Sequence, residues 1–229
     1  MSRELSEIIL SMDSKTFEVQ FIMQCAPVIA GVKASNLLII PSAYTDRLYD
    51  VVEGTGLTVY ALHHSGGRST FLVYRKELLE ECIRAGEVED ILSVCGYGIC
   101  RGQDIEHILE GFKKRYIKCM ESNTDMKKTC TSADMADKPC VSRASKKVRE
   151  NKKGVEFPHE MGVLLGYPAE DVRGFIENKG KNFLYTGYWK VYKNLSYKME
   201  MFHTFDTVTE KYLRHLRNGT DIVSMISVS

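Results

Sequence analysis

Apolar residues along this chain fall into helical and strand periods with one long interruption. Leu5, Ile8, Ile9 and Met12 stand at i, i+3, i+4 and i+7, the spacing of one helix face. A second helix carries Phe17, Phe21, Ile22 and Cys25, and Pro27 and Gly31 limit it. Asn36 to Ile40 is a short, mainly apolar run stopped by Pro41, which predicts a buried strand. Ser42 is placed to cap a helix carrying Tyr44, Leu48, Val51 and Val52, closed by Gly54-Thr55-Gly56. Leu57 to His63 and Ser69 to Tyr74 are rich in β-formers. Gly66-Gly67 between them supplies the positive φ angles of a tight connection, so an antiparallel hairpin is expected. Helices follow over Lys76 to Ala85, Val88 to Cys95 and Asp104 to Met120. The last carries the stripe Ile105, Ile108, Leu109, Phe112, Tyr116 and Ile117.

The pattern then fails. From Lys118 to Glu156 there is no Leu, Ile or aromatic residue, and the stretch ends in Arg143, Lys146, Lys147, Arg149, Lys152 and Lys153. Such a composition buries too little apolar surface to offset ordering entropy, which predicts a mobile basic linker over 122–155. It separates an N-terminal half, 1–121, from a C-terminal half, 156–229. In the second half Pro158 suits the first turn of a helix carrying Met161, Val163, Leu164 and Leu165, broken by Gly166-Tyr167-Pro168. A helix over Ala169 to Asn178 and a strand over Phe183 to Tyr192 come next. A long helix over Leu195 to Leu216 follows, with the stripe Met199, Phe202, Phe205, Val208, Tyr212 and Leu216. Ile222 to Ile226 reads as a short strand. Strands and helices do not alternate as in a doubly wound fold. The expected class is α+β: a small, largely antiparallel sheet covered by helices, with a long disordered internal linker.

Composition narrows the function classes. Of 229 residues 44% are hydrophobic, enough for a real core, and the formal net charge is +1. A near-neutral chain exerts no global pull on nucleic acid or an anionic membrane, so any such binding has to come from a local patch. The expected partner is a small molecule, with no membrane contact and no nucleic acid; the oligomeric state stays open. The start of the chain is not a signal peptide, and its apolar runs fall well short of the roughly 20 residues of a membrane span. A cytoplasmic protein is expected. Seven cysteines, an odd number, read as free thiols, and their spacing completes no zinc site. No dinucleotide fingerprint, zincin motif, nucleophile elbow or kinase signature is present.

Three stretches resemble one family. They are Ala26-Pro27 with Gly31, Lys33 and Leu37; Phe157-Pro158-His159-Glu160-Met161-Gly162-Val163-Leu164-Leu165-Gly166-Tyr167-Pro168 with Asp171-Val172 and Gly174-Phe175-Ile176; and Gly187-Tyr188-Trp189-Lys190-Val191-Tyr192. The family is the domain of unknown function 3793 of anaerobic Firmicutes, and the resemblance spans most of the chain outside the linker. It implies no cofactor, activity or catalytic residue. It suggests only a genomic context of iron and flavodoxin genes.

Candidate chemistry concentrates in those motifs. His159 and Glu160 open a helix, as an acid/base pair or as a packed ring beside a dipole-complementing carboxylate. Cys25 is a nucleophile if a cation such as Lys33 or His159 lowers its pKa, and otherwise a small buried hydrophobe. Lys33, between Gly31 and a strand, and Arg75, past the hairpin, are candidate anion ligands. Tyr188 and Lys190 share one strand face, suited to a planar or anionic ligand, while Trp189 and Val191 turn to the core. His63 and His64 point to opposite faces and do not ligate jointly. One expectation is therefore a small-molecule enzyme or binding protein gathering Lys33, Arg75, His159, Glu160, Tyr188 and Lys190. A second is a metal- or haem-linked accessory protein using His159, Cys25 or His203. A third is an interaction module with the basic linker as docking arm.

Overall fold

The computed structural model describes residues 9–10, 12–97, 105–125 and 158–227. The first full helix, α1, spans Phe17–Ile29 and leads into β1, Ser35–Pro41. A 3-10 turn at Ser42–Tyr44 and α2, Thr45–Val52, precede the hairpin of β2, Thr58–Ser65, and β3, Arg68–Tyr74. Three helices follow: α3, Lys76–Arg84; α4, Gly86–Val94; and α5, Ile105–Asp125. The second half holds α6, Glu160–Leu164, and α7, Ala169–Glu177. A small hairpin, β4 Tyr185–Thr186 with β5 Lys190–Val191, then leads to α8, Leu195–Arg217, and α9, Ile222–Ser227.

The main sheet has the order β1-β3-β2, and both outer strands run antiparallel to β3. Gly66 and Gly67, at φ 58° and 72°, make the two-residue turn between β2 and β3. The central strand alternates between two cores. Phe71 and Val73 join Leu38 and Ile40 against α1, α2, α8 and α9. Leu72 and Tyr74 join Leu62 against α3 to α7. The α+β expectation is met, with helices on both faces of a small antiparallel sheet. The exposed edge of β1 is partly closed by Gln24, whose side-chain amide accepts from the Ile39 N–H at 2.9 Å and donates to its carbonyl.

Several local expectations change. Helix α1 runs through Pro27 to Ile29, because a proline in the last turn removes only one donor. Arg75 donates to the last carbonyls, to Val28 O at 2.9 Å beside the Gly31 N–H at 3.1 Å, and to Ile29 O at 2.5 Å. Ser42 does not cap a helix; its hydroxyl lies 2.9 Å from His64 Nδ1 and 3.0 Å from Ser69 Oγ. His63 instead packs its ring edge-on near Tyr116. The strand expected over Phe183 to Tyr192 folds back on itself at Gly187, whose N–H donates to Trp189 O. The tail is helical at Ile222–Ser227, since the Asp221 carboxylate accepts from the Val223 and Ser224 N–H groups and caps it. On α8 the inward stripe includes Lys198, whereas Met199 is exposed. The linker reading over 122–155 falls outside the described residues, apart from 122–125 at the end of α5, as does most of the N-terminal helix expected over Leu5 to Met12.

Candidate functional site

The sequence motifs meet around α6 and the turn that ends it. Gly166, at φ 67°, sets the Gly166-Tyr167 turn against Ala34. Ser35 donates its hydroxyl to Leu164 O, so α6 docks on the start of β1. Tyr167 stacks on Trp189 with ring centres 5.0 Å apart.

Lys33 lies on one side of this junction. Gly31, at φ 69°, turns the chain after α1, and the Val32 and Lys33 N–H groups both donate to Pro27 O at 3.0 Å. This folds the Lys33 side chain inward, leaving it 7% exposed. Its Nζ donates to Asn36 Oδ1 at 2.5 Å and stands 5.4 Å from the centre of the Tyr167 ring. The Asn36 amide is itself held by the Gln24 carbonyl. Burial lowers the Lys33 pKa from 10.5 to about 8, against a small opposing effect of Cys25. Cys25 is fully buried, and burial pushes its thiol up to about 12 despite the nearby Lys33. Among the described residues no carboxylate pairs with Lys33. Its compensation among the described residues is one amide oxygen and one aromatic face.

Glu160 lies on the other side, 0% exposed. Its Oε1 accepts from the Tyr97 hydroxyl at 3.2 Å and faces Arg115 Nε at 3.2 Å. Its Oε2 has no hydrogen-bond partner among the described residues. Burial, then the Glu160 charge, raise the Tyr97 phenol and carry the Cys95 thiol up to about 11. Arg115 also donates to Cys95 O.

Asp171 organises a third cluster. Its Oδ2 accepts from Trp189 Nε1 at 2.8 Å, and its Oδ1 from the Tyr192 N–H at 2.7 Å and the Lys193 N–H at 3.3 Å. The buried Lys198 ammonium lies 2.5 Å from Glu170 Oε1 and 4.0 Å from Asp171 Oδ2. The hydrogen bond from Lys198, ahead of the other influences, lowers the Glu170 pKa. This cluster ties the β4–β5 hairpin to α7 and α8.

The six residues expected to share one site are thus spread over several. Lys33 faces Asn36 and Tyr167, and Glu160 faces Tyr97 and Arg115. Arg75 serves the carbonyl end of α1. His159 and Lys190 flank one ring, Phe175, at 6.0 Å between ring centres and 5.7 Å from Nζ to ring centre respectively. Lys190 also donates to Gly180 O at 2.6 Å. Tyr188 rests on Phe202 and Phe205, and its hydroxyl donates to Asp206 at 2.9 Å. Trp189, 6% exposed, and Val191, 0% exposed, lie in the core. Cys25 is sealed in the first core, while His203 is exposed on α8. Among the described residues no group of three or more His, Cys, Asp or Glu side chains is arranged to hold a metal ion, and no helix is long and apolar enough to cross a membrane.

Asn36, Tyr97, Arg115, Asp171 and Lys198 were not singled out as functional positions in the sequence. Lys198 carried a readable signal: it stands at i−4 and i−7 from Phe202 and Phe205, a lysine in an apolar stripe. Tyr97 and Arg115 carried none, because their meeting with Glu160 is set by the tertiary fold.

No curated protein matches the chain, and no solved structure does. A family model described as a protein of unknown function, DUF3793, matches residues 21–226, and the chain belongs to that family.

Proposed function

We propose that the protein is a cytoplasmic small-molecule binding protein that takes an anionic ligand at Lys33. The observation carrying this reading is a buried ammonium without a carboxylate partner among the described residues. Removing a charge from water costs several kcal/mol, on the order of the penalties found for buried ions, and native proteins normally offset it with a counter-charge. The described residues supply neutral partners only, and a bound anion would complete the pair. An ammonium has three donors. Asn36 takes one and the Tyr167 ring faces the group, which leaves capacity for a ligand oxygen. The exposed turn Gly31-Val32 directly precedes the site.

Isothermal calorimetry with inorganic phosphate, acetate and succinate tests the proposal on the wild-type protein and on Lys33→Met. Binding by the wild type of at least one anion, lost at least tenfold in the variant, is expected. Equal binding by both proteins, or none of the three bound by the wild type, removes the reading.

A further inference from the structure

A separate surface lies on the β4–β5 hairpin. Residues 181–188 are exposed without a break. They include Phe183 at 42%, Leu184 at 58%, Tyr185 at 42% and Tyr188 at 41% relative exposure. The exposure does not come from a loose attachment. The inner side of the hairpin is fixed by Trp189 on Asp171, by Val191 in the core and by Lys190 on Gly180 O. The same stretch is one-sided in charge. From Asn178 to Met199 there is no Asp or Glu, while Lys179, Lys181, Lys190, Lys193 and Lys198 all fall within it. Lys179, Lys181 and Lys193 are exposed. In the fold Lys198 and then Lys193 lie close enough to Glu170 to lower its pKa, and Asp206 accepts from Tyr188, so the exposed lysines without a carboxylate beside them in these contacts are Lys179 and Lys181 at the start of the ribbon.

We infer that this hairpin docks on an anionic phospholipid surface, with Leu184 and Phe183 entering the interfacial layer and the lysines meeting the headgroups. Three features favour that occupant. Eight consecutive exposed residues form an open ribbon lying on α8, and a bilayer surface receives such a ribbon without a matching cavity. A second copy of the chain would bring lysines against lysines across a two-fold interface. A single-stranded nucleic acid needs open ring faces, yet Lys190 Nζ stands 4.8 Å over the Phe183 ring and Tyr188 rests on Phe202 and Phe205. The most exposed apolar residue of the ribbon is aliphatic and offers no stacking. This surface departs from the expectation of no membrane contact and is independent of the anion site at Lys33.

The test is co-sedimentation of the full chain with phosphatidylcholine vesicles containing about 30% phosphatidylglycerol, a fraction chosen to give the anionic surface the lysines need. Neutral phosphatidylcholine vesicles and a fluorescent oligo(dT) are run in parallel. Partition onto the anionic vesicles should exceed that onto neutral ones by about tenfold, and should fall as salt is raised. Leu184→Ser should weaken it roughly fivefold, and Lys179→Glu with Lys181→Glu at least roughly tenfold, on the scale of one lysine near an anionic surface. Thermal melts confirm that each variant remains folded. Partition that is absent, equal on both vesicle types or unchanged in both variants overturns the inference. Oligo(dT) binding lost in the same variants, without vesicle binding, reassigns the surface to nucleic acid and also overturns it.

Discussion

Replacing Lys33 by Met should stabilise the protein at neutral pH, and the size of the effect follows from the burial of the ammonium. Holding Lys33 at about 8 instead of 10.5 means that its protonated form is disfavoured in the folded state. At about 1.4 kcal/mol per pKa unit, carrying the proton at pH 7 costs about 3 kcal/mol. Met keeps the volume and removes the charge but also removes the bond to Asn36, worth about 1.5–2 kcal/mol for a charged donor. The net gain is about 1–1.5 kcal/mol at pH 7, or roughly 2–6 °C in Tm for a chain of this size. The pH dependence gives the stricter check. Between about 8 and 10.5 the unfolded chain binds the Lys33 proton and the folded protein does not, so wild-type stability gains from this group as pH rises. Cys25 acts in the opposite sense between 9 and about 12, because the folded state keeps a thiol proton that the unfolded chain releases. The Cys25 contribution is common to wild type and variant and largely cancels in their difference. Denaturant unfolding followed by Trp189 fluorescence at pH 7 and pH 9 measures that difference. The advantage of Lys33→Met should shrink by about 1 kcal/mol between the two. A variant less stable than wild type at pH 7, with a difference that does not change with pH, would refute the claim that the ammonium is held at a cost.

Other substitutions test the supporting framework. Asp171→Asn should destabilise the protein by about 3 kcal/mol or more, since it removes one of the charges facing buried Lys198 and perturbs the acceptors of three hydrogen bonds; urea unfolding reads the loss. Gly187→Ala places a methyl group on the Phe202 ring, and a Tm drop equivalent to about 2 kcal/mol is expected, with altered near-ultraviolet circular dichroism from Trp189. Arg75→Ala removes the side-chain donor to Ile29 O and one of two donors to Val28 O, and should cost about 1–3 kcal/mol in chemical denaturation while leaving anion affinity at Lys33 within about twofold.

The elements were legible where local pattern and tertiary need agree. Leu37 to Ile40, the Gly66-Gly67 hairpin and the stripe of α5 follow from side-chain period and from glycine at positive φ. The placement of Trp189 and Val191 in the core was also readable, although the ten-residue strand that suggested it is a short hairpin. Apolar and β-branched content cannot distinguish one strand from two that fold back at a glycine. The tail at Ile222 misled for a related reason: Val and Ile favour strands locally, and a single capping Asp221 with a core to cover decides for helix. Site composition was less legible than fold. Arg75 is a cation near a turn in the sequence, yet only the fold shows that the end of α1 occupies it. Glu160 was readable as a reactive type, but Tyr97 and Arg115 lie 63 and 45 positions earlier in the chain and reach it through tertiary packing.

The proposal that the buried Lys33 ammonium binds an anion is tested most directly by ¹³C NMR titration of the lysine Cε resonances, with Lys33 assigned by its loss in Lys33→Met. Without added anion, Lys33 should titrate near 8, well below the ordinary lysine value of 10.5. Saturating the anion that calorimetry identifies should raise that midpoint by about one unit or more, as a counter-charge favours the ammonium. A midpoint at the ordinary value, or one that phosphate, acetate and succinate all leave unmoved, would contradict the account.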